Sequence, residues 1–337
     1  MARTTTADPQ ITTITNRLNT VAKQKPELAE PIAFYRAALP LLREAQAAVE
    51  PFTLPAETAR HKLAAGIPLL LGEDLPLDAE ATRNLFIRLC RLVEEAGLPV
   101  SQKRRGWSLP FGSKKPDPGQ LLEQARNGDE VALRAAAAAQ IRQAVEQQQL
   151  DLLSVWSALA ANDLHAVELA ARERQLDVEL LRTLAQNSLK PALRAWAHNL
   201  KGQVDLAEWQ RGQCPCCGSP AALAETQGKE GARHLRCTAC GSGWPYRRLK
   251  CAHCGNSDYK SLGYITVAGE EEKYSIQTCE QCHNYIKVIV TFEPTPVDLL
   301  PIEDLATLYL DLIAAERGYT HARSGQLASD DKSGDYL

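Results

Sequence analysis

Between Ile11 and about Gly202, apolar residues return at helical intervals. Ile11, Ile14, Leu18 and Val21 make one stripe, and Leu28, Ile32, Phe34, Tyr35, Leu39, Leu42, Ala45 and Val49 make a second. Prolines at 26, 31, 40, 51 and 55 mark helix starts, helix ends and one kink. Thr58 to Leu71 reads as a short helix running into an apolar loop. Asp78 is placed to cap a helix that reaches Glu95 and ends near Gly97 and Pro99. A short helix over 118–128 precedes Asp129, which can cap a long alanine-rich helix to about Gln148. Segments 151–161 and 163–174 read as a helical hairpin broken at Asn162-Asp163. Asp177 starts the next helix, and Ser188 with Lys190-Pro191 opens another that ends at Gly202. Trp156 and Trp196 read as core residues. Without strand–helix alternation or an internal repeat, the pattern predicts an all-α domain over 11–204, after a disordered start at 1–10.

Beyond Asp205 the period shortens to that of strands. Tyr285 to Phe292 alternates most cleanly, with Ile286, Val288, Val290 and Phe292 on one face and Tyr285, Lys287, Ile289 and Thr291 on the other. Tyr259–Val267 and Lys273–Thr278 are further strand candidates. Pro301 suits the first turn of a helix over 301–319, Glu303 and Asp304 suit its positive end, and Leu305, Leu308, Leu312 and Ile313 give it an apolar face. A polar tail follows at 320–337.

The chain has 337 residues, 45% hydrophobic and 23% charged, which is the balance of a globular protein of two domains. Its net charge is −3, and 205–300 holds ten Lys/Arg against eleven Asp/Glu, so a nucleic-acid-binding ribbon lacks the basic face it needs. No secretory signal opens the chain and no apolar run is long enough to span a bilayer. The expectation is a cytoplasmic protein without integral membrane insertion. Lys103 to Lys115 is a basic loop carrying Trp107 and Phe111; it reads as a solvated connection pinned by its aromatics, with a docking site for an acidic segment as the alternative.

Cysteine changes this picture most. Eight of the ten cysteines fall in four C-x-x-C pairs: Cys214/Cys217, Cys237/Cys240, Cys251/Cys254 and Cys279/Cys282. Each pair is a knuckle that can aim two thiolates at one metal, and two knuckles close a four-sulfur tetrahedron. Nearest-neighbour pairing assigns the first four cysteines to one ion and the last four to another. The intervening 19 residues (218–236) and 24 residues (255–278) each fit a β-hairpin. Redox disulfides and buried free thiols are the rival readings. A reducing cytoplasm favours metal over disulfide. The fold class is therefore α+β: helices, then two tandem small β metal ribbons over 205–249 and 250–300, then the C-terminal helix. Modules this small need such a staple. Four thiolates suit zinc or iron. Cys216 is a spare thiol inside the first knuckle, His253 and His283 read as neighbours of ligands, and Cys90 reads as a buried small hydrophobe. Phosphate-cradling loops, nucleophile elbows and H-E-x-x-H motifs are missing from the sequence.

One family shares these residues. Cys214-Pro215-x-Cys217-Gly218-Ser219-x-Ala221 opens the likeness. Arg233-x-Leu235-x-Cys237-x-x-Cys240, Trp244 and Arg248-x-Lys250-Cys251-x-x-Cys254 follow, then Cys279-x-x-Cys282-x-x-Tyr285-x-Lys287. Asp304 to Leu308 and Glu316-x-Gly318-Tyr319 complete it. Together they resemble the formate dehydrogenase accessory protein family, FdhE, over roughly 209–319. The sequence departs from that pattern at Cys216 and in its longer polar tail after Tyr319. The resemblance implies a cytoplasmic maturation factor that binds the formate dehydrogenase catalytic subunit before its export, and the missing cofactor-pocket signature implies that it is not itself an enzyme. It also implies rubredoxin-like sites in which the eight paired cysteines hold two metal ions, iron favoured and zinc the alternative. A rubredoxin-like electron carrier is the competing reading.

Overall fold

The computed structural model describes residues 9–96 and 130–321. The expected basic loop at 103–115, the helix at 118–128 and all but the first two residues of the polar tail lie outside them. The described residues form two compact units whose segments interleave along the chain. One takes its described residues from 9–32, 51–75 and 193–321, the other from 33–50, 76–96 and 130–192. Among the described residues, no helix is long and apolar enough to cross a membrane.

The helices follow the apolar stripes. They are α1 (Pro9–Gln24), α2 (Ala29–Ala47), α3 (Ala56–Ala64), α4 (Ala79–Ala96), α5 (Glu130–Glu146), α6 (Leu152–Ala160), α7 (Leu164–Arg172) and α8 (Val178–Leu200). Asp78 caps α4 by accepting from Ala81 N at 2.8 Å, and Asp177 caps α8 by accepting from Leu180 N at 2.8 Å. Asn162 adopts φ 56° and breaks the chain between α6 and α7. In the second unit α4 packs on α5, whose buried Ala132, Ala135, Ala138 and Ala139 permit close approach. Between them Arg142 forks onto Glu94 at 2.6 and 3.1 Å, with both side chains buried. Cys90 is fully buried in α4, as its apolar run implied. One expectation fails here: no new helix opens at Ser188, because α8 runs through Pro191. Leu181, Leu184, Ala185 and Leu189 are all buried along it, and that packing outweighs one missing N–H.

Strands β1 (Leu223–Gln227), β2 (Ala232–Arg236), β3 (Gly243–Pro245), β4 (Leu262–Ile265), β5 (Tyr274–Cys279), β6 (Asn284–Thr291) and β7 (Thr320–His321) build one seven-stranded sheet. Its order is β3-β2-β1-β6-β5-β4, with β7 paired to β6. The two expected ribbons are present as β1–β3 and β4–β6, and they are fused. β1 and β6 pair in parallel from Leu223↔Lys287 to Gln227↔Thr291. The expected helix over 301–319 is two helices, α9 (Leu300–Ala306) and α10 (Leu308–Glu316). They part at buried Thr307, whose hydroxyl donates to Glu303 O at 2.8 Å.

Leu300, Leu310 and Ala314 of these helices close a core over Leu223, Ile265, Tyr274, Ile276, Tyr285 and Ile289 of the sheet. On the other face the chain at 247–250 crosses the strands, and Arg248 O accepts from Gln277 Nε2 at 3.1 Å. β6 is thus covered on both sides, and Tyr285 to Ile289 are buried without alternation. The half-buried pattern expected for this strand holds only at its end, where Val290 and Phe292 are exposed.

Candidate metal centres

All four C-x-x-C pairs fold into the same turn. The amide of the first cysteine donates to the carbonyl five residues on in three of them: Cys214 N to Ser219 O at 2.8 Å, Cys237 N to Ser242 O at 2.9 Å and Cys251 N to Asn256 O at 2.8 Å. The residue after the second cysteine donates back to the first. Gly218 N bonds Cys214 O, Gly241 N bonds Cys237 O, Gly255 N bonds Cys251 O and His283 N bonds Cys279 O, at 3.0, 3.0, 3.2 and 2.8 Å. That closing residue is left-handed in every case, with φ of 79°, 80°, 72° and 51°. Glycine meets the demand at no steric cost in three turns; the fourth uses His283.

These turns bring the eight cysteines together in the expected sets. Cys214, Cys217, Cys237 and Cys240 form one group and Cys251, Cys254, Cys279 and Cys282 the other, the sulfurs of each group lying within 4.8 Å of one another. Sulfur–sulfur separations are 3.5 Å for Cys214–Cys240, 3.6 Å for Cys217–Cys237, and 3.7 Å for both Cys251–Cys282 and Cys254–Cys279. A disulfide would need about 2.05 Å. Four sulfurs placed about 2.3 Å from a shared ion lie roughly 3.8 Å apart, so the donor set fits a tetrahedral metal. The first group is largely sealed; in the second, Cys254 and Cys282 are partly exposed.

Electrostatics point the same way. In the first group a bond from Cys214 holds the Cys217 sulfur well below the ordinary thiol range, while burial pushes Cys214 well above it. In the second, the bond with Cys251 pulls Cys282 down to about 4 and raises Cys251, and burial pushes Cys254 up to about 11. Cys217 in the first cluster and Cys282 in the second are thus the sulfurs most ready to be thiolates, and metal binding at either cluster would release protons.

Neither histidine beside a knuckle joins a group of sulfurs. Burial pulls His253 down to about 4, so it is neutral, and its Nε2 lies 2.8 Å from Tyr285 O. Cys216 is buried outside the first four-sulfur group. Its carbonyl, with that of Pro215, accepts from Leu70 N and Leu69 N at 2.9 Å each. The loop after α3 therefore props the first knuckle, a contact that only the apolar run Pro68 to Leu71 hinted at. The hydroxyls of Ser219, which the sequence placed only in the family pattern, and of Ser242, which it did not single out, lie 3.4 and 3.1 Å from the sulfurs of Cys217 and Cys240.

Residues 213–248 match the family model "FdhE, central domain", and residues 249–327 match "FdhE, C-terminal domain". Together these two matches cover about a third of the chain, and both sulfur groups lie within them. A "Protein FdhE homolog" of Aquifex aeolicus is 35% identical over 44% of this chain and 52% of its own length. One from Pseudomonas aeruginosa is 38% identical over 37% of this chain and 43% of its own, and the "Protein FdhE" of Escherichia coli is 30% identical over 36% and 39%. The chain thus spans about half or less of the curated relatives it matches. A crystal structure of the FdhE protein from Pseudomonas aeruginosa aligns over 94% of this chain and 95% of that one, at 22% identity and a TM-score of 0.52. That likeness extends the FdhE fold to the helices that the family models leave out.

Proposed function

We propose that this chain is an accessory factor in the maturation of formate dehydrogenase, acting in the cytoplasm on the catalytic subunit before its export. Cys214, Cys217, Cys237 and Cys240 hold one metal ion, and Cys251, Cys254, Cys279 and Cys282 hold a second. The observation that carries the reading is the pair of four-sulfur clusters lying within the two FdhE domains. Family resemblance favours iron, with zinc as the alternative. Bound there, the metal acts as a staple for the sheet, because four thiolates leave no open coordination position for substrate. The chain is then a binding partner of the enzyme and not a formate oxidiser.

Three measurements test this together: metal content of anaerobically purified protein, capture of the formate dehydrogenase catalytic subunit by the metal-loaded chain, and formate oxidation by the chain alone. About two ions per chain, capture and no turnover are expected. Failure to capture the subunit with metals in place removes the maturation reading. A second reading, one-electron transfer through rubredoxin-like iron, draws support from the partial exposure of Cys254 and Cys282. It requires visible absorption that bleaches reversibly on reduction.

A further inference from the structure

Arg233 stands on β2, between the two knuckles of the first cluster, yet it serves the approach to the second. Its Nη1 donates to the carbonyls of Arg247, Arg248 and Lys250 at 2.9, 3.3 and 2.8 Å. One nitrogen thus gathers three carbonyls just before Cys251. The guanidinium lies 5.4 Å from the centre of the Tyr246 ring, and the Tyr246 hydroxyl donates to Cys251 O at 2.8 Å. Arg233 is only 6% exposed, and among the described residues no carboxylate pairs with it. Burial lowers its pKa from the ordinary guanidinium range, a shift that Tyr264, Tyr246 and Cys251 only partly oppose. A buried guanidinium needs a counter-charge. A divalent ion inside four thiolates is a dianionic unit, and Cys251 belongs to it.

A second line of contacts runs in parallel. Gly212, just ahead of the first knuckle, lies so close to the third that a Cβ there would sit 1.5 Å from Ala252 O. Lys250 Nζ donates to Gln210 O at 2.7 Å. The Cys251/Cys254 knuckle is therefore shaped by residues 210–212 and 233, which flank and enter the first site. Its partner knuckle, Cys279/Cys282, sits between β5 and β6.

We propose that the two metal sites are coupled: an ion in the first cluster orders the chain from 210 to 250, and Arg233 and Gly212 transmit that order to the Cys251/Cys254 knuckle, so the second site tightens once the first is filled. Arg233 is a positioning residue in this scheme, supplying both the carbonyl fork and the charge that offsets the second site. By linkage the coupling is mutual. The inference rests on the reading of both clusters as metal sites.

Titration of metal-free, reduced, full-length protein with Co²⁺ tests it, because a cobalt tetrathiolate absorbs in the visible. Cys237→Ser/Cys240→Ser leaves the second site to be read alone, and Cys279→Ser/Cys282→Ser leaves the first. Arg233→Met and Gly212→Ala should each weaken the second site by about 10- to 100-fold, the range for residues that orient metal ligands. Arg233→Met should leave the first site, read in the Cys279→Ser/Cys282→Ser background, within about twofold of its parent. Loss of the first site by Cys237→Ser/Cys240→Ser should weaken the second comparably. Wild-type affinity at the second site in both Arg233→Met and Gly212→Ala overturns the coupling, as does an equal loss at both sites in Arg233→Met. If the unaltered chain gives no tetrathiolate band at all, the metal reading itself fails, a result distinguishable before any variant is made.

Discussion

Lys287, in the middle of the sheet, donates to Asp311 of helix α10 at 2.7 Å while only 2% of its own side chain is exposed. Asp304 accepts from the same ammonium at 2.6 Å, and the Tyr285 hydroxyl donates to Asp311 at 2.6 Å. The lysine thus ties β6 to both helices that cover its face. Lys287→Met would leave Asp311 facing the core without its cation, and removing one partner of a buried pair costs about 3–5 kcal/mol. Because Asp304 is nearly half exposed and Asp311 partly so, about 2–3 kcal/mol is expected. A urea denaturation curve reads the loss; an unchanged midpoint would show that the lysine is dispensable.

Removal of metal should unfold the sheet and spare the α4–α5 pair. Apparent binding energies of structural zinc in small modules, roughly 10–16 kcal/mol, match or exceed the whole stability of a typical domain. The α4–α5 pair holds itself by Arg142–Glu94 and a buried alanine interface. Chelation, or acid that reprotonates the thiolates, should expose 213–291 to limited proteolysis while the segment around 130–146 stays protected. Equal protection of the sheet with and without metal would contradict this.

Cys90 should be unreactive in the folded protein. It is 0% exposed, and burial raises its thiol far above the ordinary range, with nearby Glu94 adding to the effect. Iodoacetamide should modify it only in denaturant, as followed by mass spectrometry of the peptide 84–91. Modification under native conditions would mean that α4 opens locally.

The left-handed turn residues should differ in their tolerance. His283→Gly relieves a strained backbone, and a change of about 1 kcal/mol or less is expected, with metal content unaltered. Gly241→Ala forces a Cβ to within 2.5 Å of Val297 Cγ1 at φ 80° and should cost about 2 kcal/mol or more. Thermal unfolding of the two variants separates them, and equal melting temperatures would refute the distinction.

Local chemistry was readable from the sequence. The sulfur sets followed from C-x-x-C spacing, and the helix starts from Asp78 and Asp177, because each involves residues within a few positions of one another. The parallel pairing of Leu223 with Lys287 was not readable, since nothing near either residue specifies a partner so far along the chain. The burial of Lys287 escaped for a related reason: a lysine in an alternating strand reads as solvent-facing until Asp304 of α9 and Asp311 of α10 are brought to it. Arg233 stood in the sequence only as part of the Arg233-x-Leu235-x-Cys237 pattern. Its role arises from carbonyls at 247, 248 and 250, which carry no sequence signature.

The parallel join between β1 and β6 has a consequence for the nascent chain. A ribosome working from the N-terminus completes all four sulfurs of the first cluster by Cys240, yet β1 must wait for a partner roughly 60 positions later. At about 5–20 residues per second that delay lasts several seconds, during which one edge of β1 is open to mispairing. Ion capture while translation is still under way would fold the first ribbon early and shorten the time that edge stays loose.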